Sequence, residues 1–186
     1  GIGGGVVVDG RLLRGRRGLA GHVGHMIIEP DGPRCSCGAF GCFEALVSGN
    51  EIGREGLRVA QSEPDSALGR RLAAEREITG GIVTEMAHDG DPQAREVLRE
   101  IGERLGFGLV GLVNVFNPEV IVIGGGAARG GDLILEPARA AIAKHALPTT
   151  RQGVRVLPAH YGDEAGMMGA ALATVVGTFL LVGVGL

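Results

Sequence analysis

The sequence offers little for stacking on flat ligands: it has no tryptophan, one tyrosine and only 3% aromatic residues. Because aromatic rings are the usual platforms for bases, this scarcity argues against such a platform for bases or for exposed sugars. The sequence also lacks an excess of positive charge, since its formal net charge is −3. No nucleic-acid partner is therefore expected from the composition. A small basic cluster is interpreted as a solvated hairpin: Arg11, Arg14, Arg16 and Arg17.

Signals for export or membrane insertion are also weak. No basic segment followed by an apolar core opens the sequence, so no secretory signal peptide is visible. Residues 167–186 carry no charge and are long enough on paper to cross a bilayer. Several glycines weaken this run as a helix, however, and no cluster of Lys or Arg flanks it. We expect a buried helix and an atypical apolar tail rather than a membrane span, and no membrane partner.

The few cysteines are clustered. His25, Cys35, Cys37 and Cys42 form an H-x9-C-x-C-x4-C array with glycine and proline between its members. Three cysteines leave a disulfide framework one partner short. Three thiolates and an imidazole supply the four donors of a tetrahedral structural zinc site, and glycines permit the irregular backbone that convergence requires. We interpret the array as such a site; the alternatives are a disulfide or three unrelated buried thiols. Free thiols held for a metal suit a reducing compartment, so we expect a cytoplasmic protein.

The 186 residues suit one domain, or one lobe of a larger protein. Asp9 and Gly10 separate two extended stretches and predict a β-hairpin. Residues 26–29 are predicted to be a third strand. Residues 44–61 have a helical pattern that is followed by a polar break at Pro64. No internal repeat or low-complexity linker is visible.

Strands and helices alternate in the second half, which predicts an α/β layer. A short helix is predicted at residues 82–88. A long apolar stripe then predicts a helix that begins at Pro92 and ends near Asn117. Strands are predicted at residues 119–123 and 154–157, with a helix at 133–145 between them and a last helix from residue 165. Asp132 is expected to cap the helix at 133–145.

The cysteine array lies in a longer motif, GHMIIEPDGPRCSCGAFGCFE, which is preceded by GIGGGVVVDGRLLRGRRGLAG. Together these segments resemble the ROK family (repressors, open reading frames and sugar kinases), and in particular its bacterial glucokinases. The resemblance extends to about residue 173. It implies an actin-like ATPase (ribonuclease H-like) fold, of which residues 1–174 are the C-terminal lobe with an inserted zinc loop at 25–42. Residues 175–186 are left as the apolar tail, and the N-terminal lobe lies outside this chain.

The resemblance implies ATP-dependent phosphorylation of a hexose, most specifically glucose, with Mg²⁺ accompanying ATP. The expected partners are thus a sugar and ATP, and we expect a homo-oligomer. One alternative is the sugar-sensing lobe of a ROK transcriptional repressor, which would bring a nucleic-acid partner through a helix-turn-helix. Another is a zinc-stabilised interaction module without a ligand. In such kinases the catalytic aspartate lies on the N-terminal lobe, so no residue here is assigned as the base and the isolated chain is expected to be inactive.

Three side chains are candidates for sugar binding. Glu44 can accept charge-assisted hydrogen bonds from two hydroxyls, or it can be a solvated glutamate that opens a helix; it matches the family's sugar-binding glutamate. His25 has a second nitrogen that can donate to a sugar hydroxyl while the first binds zinc, as its family counterpart does. His22 stands where the family usually has glutamate, and imidazole cannot accept two hydroxyl bonds. The identity of the sugar is therefore open.

Two glycine runs are candidates for ATP binding. The first run could present backbone N–H groups to phosphate; it consists of Gly1, Ile2, Gly3, Gly4 and Gly5. From composition alone, a plain tight turn is an equally good interpretation of this run. The family resemblance favours phosphate binding. Three further glycines after the strand at 119–123 could face the nucleotide or only form the turn into the next helix. These are Gly124, Gly125 and Gly126.

Overall fold

The chain opens with the predicted hairpin, formed by β1 (Ile2–Val8) and β2 (Arg11–Leu12). In the computed structural model, which describes residues 1–159 and 179–184, the turn residues Asp9 and Gly10 have φ angles of 50° and 71°. Positive φ at both central positions matches the right-handed twist of the strands that they connect. The hairpin prediction is confirmed.

The predicted third strand at residues 26–29 is wrong. This segment follows a short 3-10 turn (Val23–His25). Its backbone pairs with the end of the loop that carries the three cysteines (residues 30–42, the cysteine loop) rather than with the sheet. Ile27 forms an isolated antiparallel bridge with Cys42, and the Phe43 N–H donates to the Met26 carbonyl at 2.8 Å. The short apolar run therefore holds the end of the loop through backbone hydrogen bonds. The residues that pair with the run lie about fifteen positions later in the chain.

Four helices follow the loop: α1 (Phe43–Val47), α2 (Gly49–Ser62), α3 (Ala67–Glu75) and α4 (Gly80–His88). The predicted helix at 44–61 is divided at Ser48, whose ψ of 162° is extended. The helix α3 was not predicted. Its N-terminal signal is Ser66, whose hydroxyl accepts a hydrogen bond from the Gly69 N–H at 2.9 Å and so satisfies one free donor of the first turn.

The long helix α5 (Pro92–Phe116) is confirmed, with Asp91 as its cap and Asn117 in a left-handed conformation at its end. It packs against α6 (Asp132–His145). Asp132 was predicted to cap α6, but the capping position belongs to Gly131. Because Asp132 is the first residue within the helix, its carboxylate instead accepts a hydrogen bond from Arg139 at 3.1 Å.

Over the described ranges 1–159 and 179–184, the sheet has five strands in the order β2-β1-β5-β3-β4. The strands β3 (Val120–Gly124) and β4 (Arg155–Pro158) are parallel and confirm the predicted strands of the second half. The strand β5 (Phe179–Val184) lies parallel to β3 and antiparallel to β1. It falls in the expected tail and was not predicted. The helix predicted from residue 165 lies outside the described residues.

The core lies between the sheet and the helices and centres on α5, whose buried face includes Leu98, Ile101 and Leu109. Buried side chains of α1 and α6 complete it, for example Phe43 and Ile134. Among residues 1–159 and 179–184, no helix combines the length and the apolar character that a bilayer span requires.

Candidate metal centre and ligand cleft

The four members of the predicted metal array converge in space. The donor atoms of His25, Cys35, Cys37 and Cys42 all lie within 4.8 Å of one another. Cys35 Sγ is 3.7 Å from His25 Nδ1, and Cys37 Sγ is 3.6 Å from Cys42 Sγ. With Zn–S bonds of about 2.3 Å and Zn–N bonds of about 2.0–2.1 Å, a tetrahedron has edges of roughly 3.5–3.8 Å. The cluster therefore fits a single bound metal ion, and the three thiols are free of disulfides.

Tight backbone turns bring the thiols together. The Cys35 N–H donates to the Ala39 carbonyl at 2.8 Å, and the Gly41 N–H donates to the Pro33 carbonyl at 2.9 Å. Gly41 has a φ of 65°, and a Cβ built there would lie 1.4 Å from the Glu29 carbonyl oxygen. Only glycine can occupy this position, so the loop closes over itself just before Cys42.

The two buried thiols differ in their electrostatic environment. The backbone N–H of Cys37 is the main cause that lowers the pKa of the Cys35 thiol to about 6. Burial is the main cause that raises the pKa of the Cys42 thiol to about 12. A bound cation would favour the thiolate form of both groups, because a nearby positive charge stabilises the anion.

The carboxylate of Glu44 is anchored to the start of β1. The Ile2 N–H donates to Glu44 Oε2 at 2.7 Å, and the Ser36 hydroxyl donates to Glu44 Oε1 at 3.3 Å. Glu44 lies in the first turn of α1, two residues after Cys42, and is half-buried. A metal-bound cysteine would thus fix the backbone that carries this carboxylate.

The two histidines have different surroundings. His25 turns Nδ1 toward Cys35 Sγ, so its other ring nitrogen, Nε2, points away from the thiols. His22 is exposed, and its Nδ1 lies 2.8 Å from the Leu19 carbonyl. A carbonyl can only accept, so Nδ1 of His22 carries the proton. The two rings lie 6.3 Å apart between centroids, and His22 is not among the clustered donors of the described residues.

The two glycine runs reach the same end of the sheet. Gly3 pairs with Gly183 of β5, and Gly183 pairs with Gly124 of β3, which places all three in one row. That row lies at the carboxyl end of β3, where open α/β sheets commonly bind ligands. The first run is extended strand rather than a free loop, and the Gly4 N–H donates to the Gly21 carbonyl at 2.9 Å. The phosphate role of both runs stays a prediction.

The sequence did not single out Ser36, although it contacts Glu44. Its position between two of the predicted metal donors, Cys35 and Cys37, was the available signal. A groove of about 650 Å³ lies elsewhere, between α6 and β4, and includes none of the predicted site residues. The convergence of donors, rather than cavity size, therefore locates the candidate site.

Comparisons with known proteins find similar sequences and folds. The model of the ROK family matches residues 1–175. The chain is 36% identical over 172 residues to a glucokinase of Thermotoga maritima. The aligned region covers 92% of this chain and 54% of that protein. It thus spans about half the length of such curated relatives.

Two solved structures resemble the fold closely. One is a ROK family glucokinase from Streptomyces griseus in complex with glucose and AMPPNP, with a TM-score of 0.81, 35% identity, and coverage of 91% of this chain and 55% of that one. The other is a ROK family transcriptional regulator, a homologue of the E. coli MLC protein, with a TM-score of 0.78 and 35% identity. The superposed region covers 92% of this chain and 42% of the regulator.

Proposed function

Because the chain belongs to the ROK family and has its actin-like ATPase fold, we propose that it is the C-terminal lobe of an ATP-dependent sugar kinase. We further propose that the hexose is glucose. The observation that carries this proposal is the anchored carboxylate of Glu44. Glu44 lies two residues after Cys42, the last donor of the candidate metal cluster, and it accepts a hydrogen bond from the start of β1. The resemblance to glucokinases supports the choice of substrate.

His25, Cys35, Cys37 and Cys42 would hold a structural Zn²⁺, since three thiols and one imidazole at these separations are its preferred donors. When bound, that ion cross-links a loop that is otherwise held by a few backbone hydrogen bonds. The chain's own contribution is the placement of Glu44. Its remaining lone pairs can accept two neighbouring hydroxyls of a sugar in charge-assisted bonds.

The histidines would complete the sugar contacts. His25 Nε2 can donate to a hydroxyl, since Nδ1 faces the thiols. His22 holds its proton on Nδ1 for the Leu19 carbonyl, so its neutral ring offers only an acceptor at Nε2. A carboxylate at this position would accept two hydroxyls, whereas His22 accepts one. We therefore expect this protein to bind glucose more weakly than a relative with glutamate at this position.

The ATP side would lie at the carboxyl end of β3, where the two glycine runs meet in one row. Glycine backbone there can approach phosphates without obstruction by side chains, while the Ile2 and Gly4 N–H groups already donate to Glu44 Oε2 and to the Gly21 carbonyl. The residues proposed for this role are Gly1, Ile2, Gly3, Gly4, Gly5, Gly124, Gly125 and Gly126. Mg²⁺ would accompany ATP, and phosphoryl transfer depends mainly on positioning and charge neutralisation. The base would come from the rest of the protein, so this chain alone would be inactive.

A second candidate function is sugar sensing in a transcriptional repressor. It is favoured by the similarity to the ROK transcriptional regulator, whose TM-score is almost as high as that of the glucokinase. The two candidates share the same proposed sugar site and differ in whether ATP is bound. Isothermal titration of the complete protein separates them: heat with glucose and with AMPPNP supports the kinase, and heat with sugar alone supports the repressor.

We predict that Glu44→Ala weakens glucose binding by the complete protein roughly a hundredfold or more, because two charge-assisted hydrogen bonds are lost. Titration calorimetry measures the change, and metal analysis should find one zinc per chain as in the wild type. Glu29→Ala is the matched control, since Glu29 is an exposed glutamate of the same loop. Glucose affinity that is unchanged in Glu44→Ala, or zinc that is lost from it, contradicts the proposed role.

A further inference from the structure

We propose that Ser36 is a positioning residue that sets the orientation of the Glu44 carboxylate for the sugar. The inference rests on the proposed function, because it extends the role of Glu44. The Ser36 hydroxyl lies 3.3 Å from Glu44 Oε1 and donates to it. Within residues 1–159, the same hydroxyl also lies near Cys35 Sγ, at the longer distance of 3.9 Å.

A single anchor cannot define the plane of a carboxylate. The torsion that turns the Glu carboxyl group has a broad, roughly two-fold energy profile, so the group rotates easily when one oxygen is held. Here Oε2 is held by the Ile2 N–H at 2.7 Å, and Ser36 holds Oε1. With both oxygens engaged, the plane is fixed by two points. About one lone pair on each oxygen then remains for a pair of vicinal hydroxyls.

The location of Ser36 makes it a rigid donor. It lies between Cys35 and Cys37, whose donor atoms both belong to the metal-fitting cluster. A metal held by both flanking cysteines fixes the backbone of Ser36 on each side. The carboxylate is therefore oriented from two directions, by the sheet through Ile2 and by the cysteine loop through Ser36. The loop thus influences the Glu44 carboxylate in two ways: through the Ser36 hydroxyl, and through the backbone that connects Cys42 to Glu44.

The test compares Ser36→Ala with Ser36→Thr in the complete, zinc-loaded protein, with glucose as the titrant. We expect Ser36→Ala to raise the glucose Kd roughly three- to tenfold, the range for loss of one partly exposed hydrogen bond to a charged group. Ser36→Thr keeps the hydroxyl and should stay within about twofold of the wild type. Both variants should retain one zinc per chain by metal analysis.

A double variant distinguishes positioning from a general structural effect. If Ser36 acts through the carboxylate, Ser36→Ala should have no further effect in a Glu44→Ala background, with glucose titrated into the millimolar range. Additive losses, loss of zinc from Ser36→Ala, or an unchanged Kd in Ser36→Ala while Glu44→Ala binds poorly would each overturn the inference alone. If Glu44→Ala itself binds glucose normally, the proposed function fails and the inference fails with it.

Discussion

A Cys37→Ser variant is expected to lose its bound metal and, in the complete protein, all measurable sugar binding. Structural zinc contributes about 10–16 kcal/mol of apparent binding free energy in small sites, which rivals the net stability of a whole domain. Cys37 is exposed, so the substitution opens no cavity in the core and its effect isolates the metal. With one donor removed, the turns around Gly38 and Gly41 lose their cross-link and Glu44 loses its fixed position. Metal analysis and glucose titration measure the two effects.

The matched control for this experiment is Asp31→Asn, a change of similar size at an exposed position of the same loop. It should keep one zinc per chain and wild-type glucose affinity. Hydrogen exchange of residues 26–44 gives an independent readout, because protection in this segment should fall only in Cys37→Ser. Wild-type sugar affinity in metal-free Cys37→Ser protein would show that the cluster does not organise the site.

The second large effect concerns the contact between α5 and α6. Gly102 allows the helices to approach so closely that a Cβ there would lie 2.4 Å from the Ile134 carbonyl oxygen and 3.0 Å from Pro137 Cβ. The obstacle is backbone, which cannot turn aside as a flexible side chain can. Gly102→Ala should therefore push the helices apart and lower the free energy of unfolding by about 2 kcal/mol, even after the better helix propensity of alanine.

The same helix provides the control. Gly111 lies on the exposed side of α5, and a Cβ there would meet nothing within 4 Å. Gly111→Ala should raise the free energy of unfolding by about 0.5–1 kcal/mol, because it lowers only the entropy of the unfolded chain. Urea unfolding followed by circular dichroism compares both variants with the wild type. Destabilisation of equal size in both would indicate that helix packing at Gly102 is not the cause.

Secondary structure could be predicted where local chemistry decides it. The Asp9 and Gly10 turn, the start of α5 at Pro92 and the strand β3 all have short-range signals, and all are confirmed. The apolar run at residues 26–29 resembles a strand, yet its partners are Gly41 in the neighbouring loop and Phe43 at the start of α1. An apolar run does not specify whether a sheet or a loop will pair with it.

The strand β5 shows a different limit of sequence reasoning. Residues 167–186 are uncharged throughout, and such a run does not by itself distinguish a helix from a strand. In the structure, residues 179–184 pair with β1 and β3, which lie far away in the chain. Such non-local pairing leaves no periodic signal in the segment itself.

The metal cluster could be predicted almost completely, because its donors are rare residues at close spacing. The convergence of His25, Cys35, Cys37 and Cys42 is present in the structure. The contacts of Glu44 could not be predicted, since the Ile2 N–H is a backbone group and Ser36 is a common residue. The zinc itself, the sugar contacts, the nucleotide contacts and the homo-oligomer stay predictions.

The burial of the four donors is uneven, and this has a kinetic consequence. Cys35 and Cys42 are buried, whereas His25 and Cys37 face the solvent. An ion held there has one open side, through which a competing chelator can replace the exposed donors one at a time. The metal would then dissociate through a ternary complex of protein, metal and chelator. Its dissociation rate would rise with chelator concentration and would not be limited by local unfolding of the loop. The same open side would let the ion enter after the surrounding helices have formed.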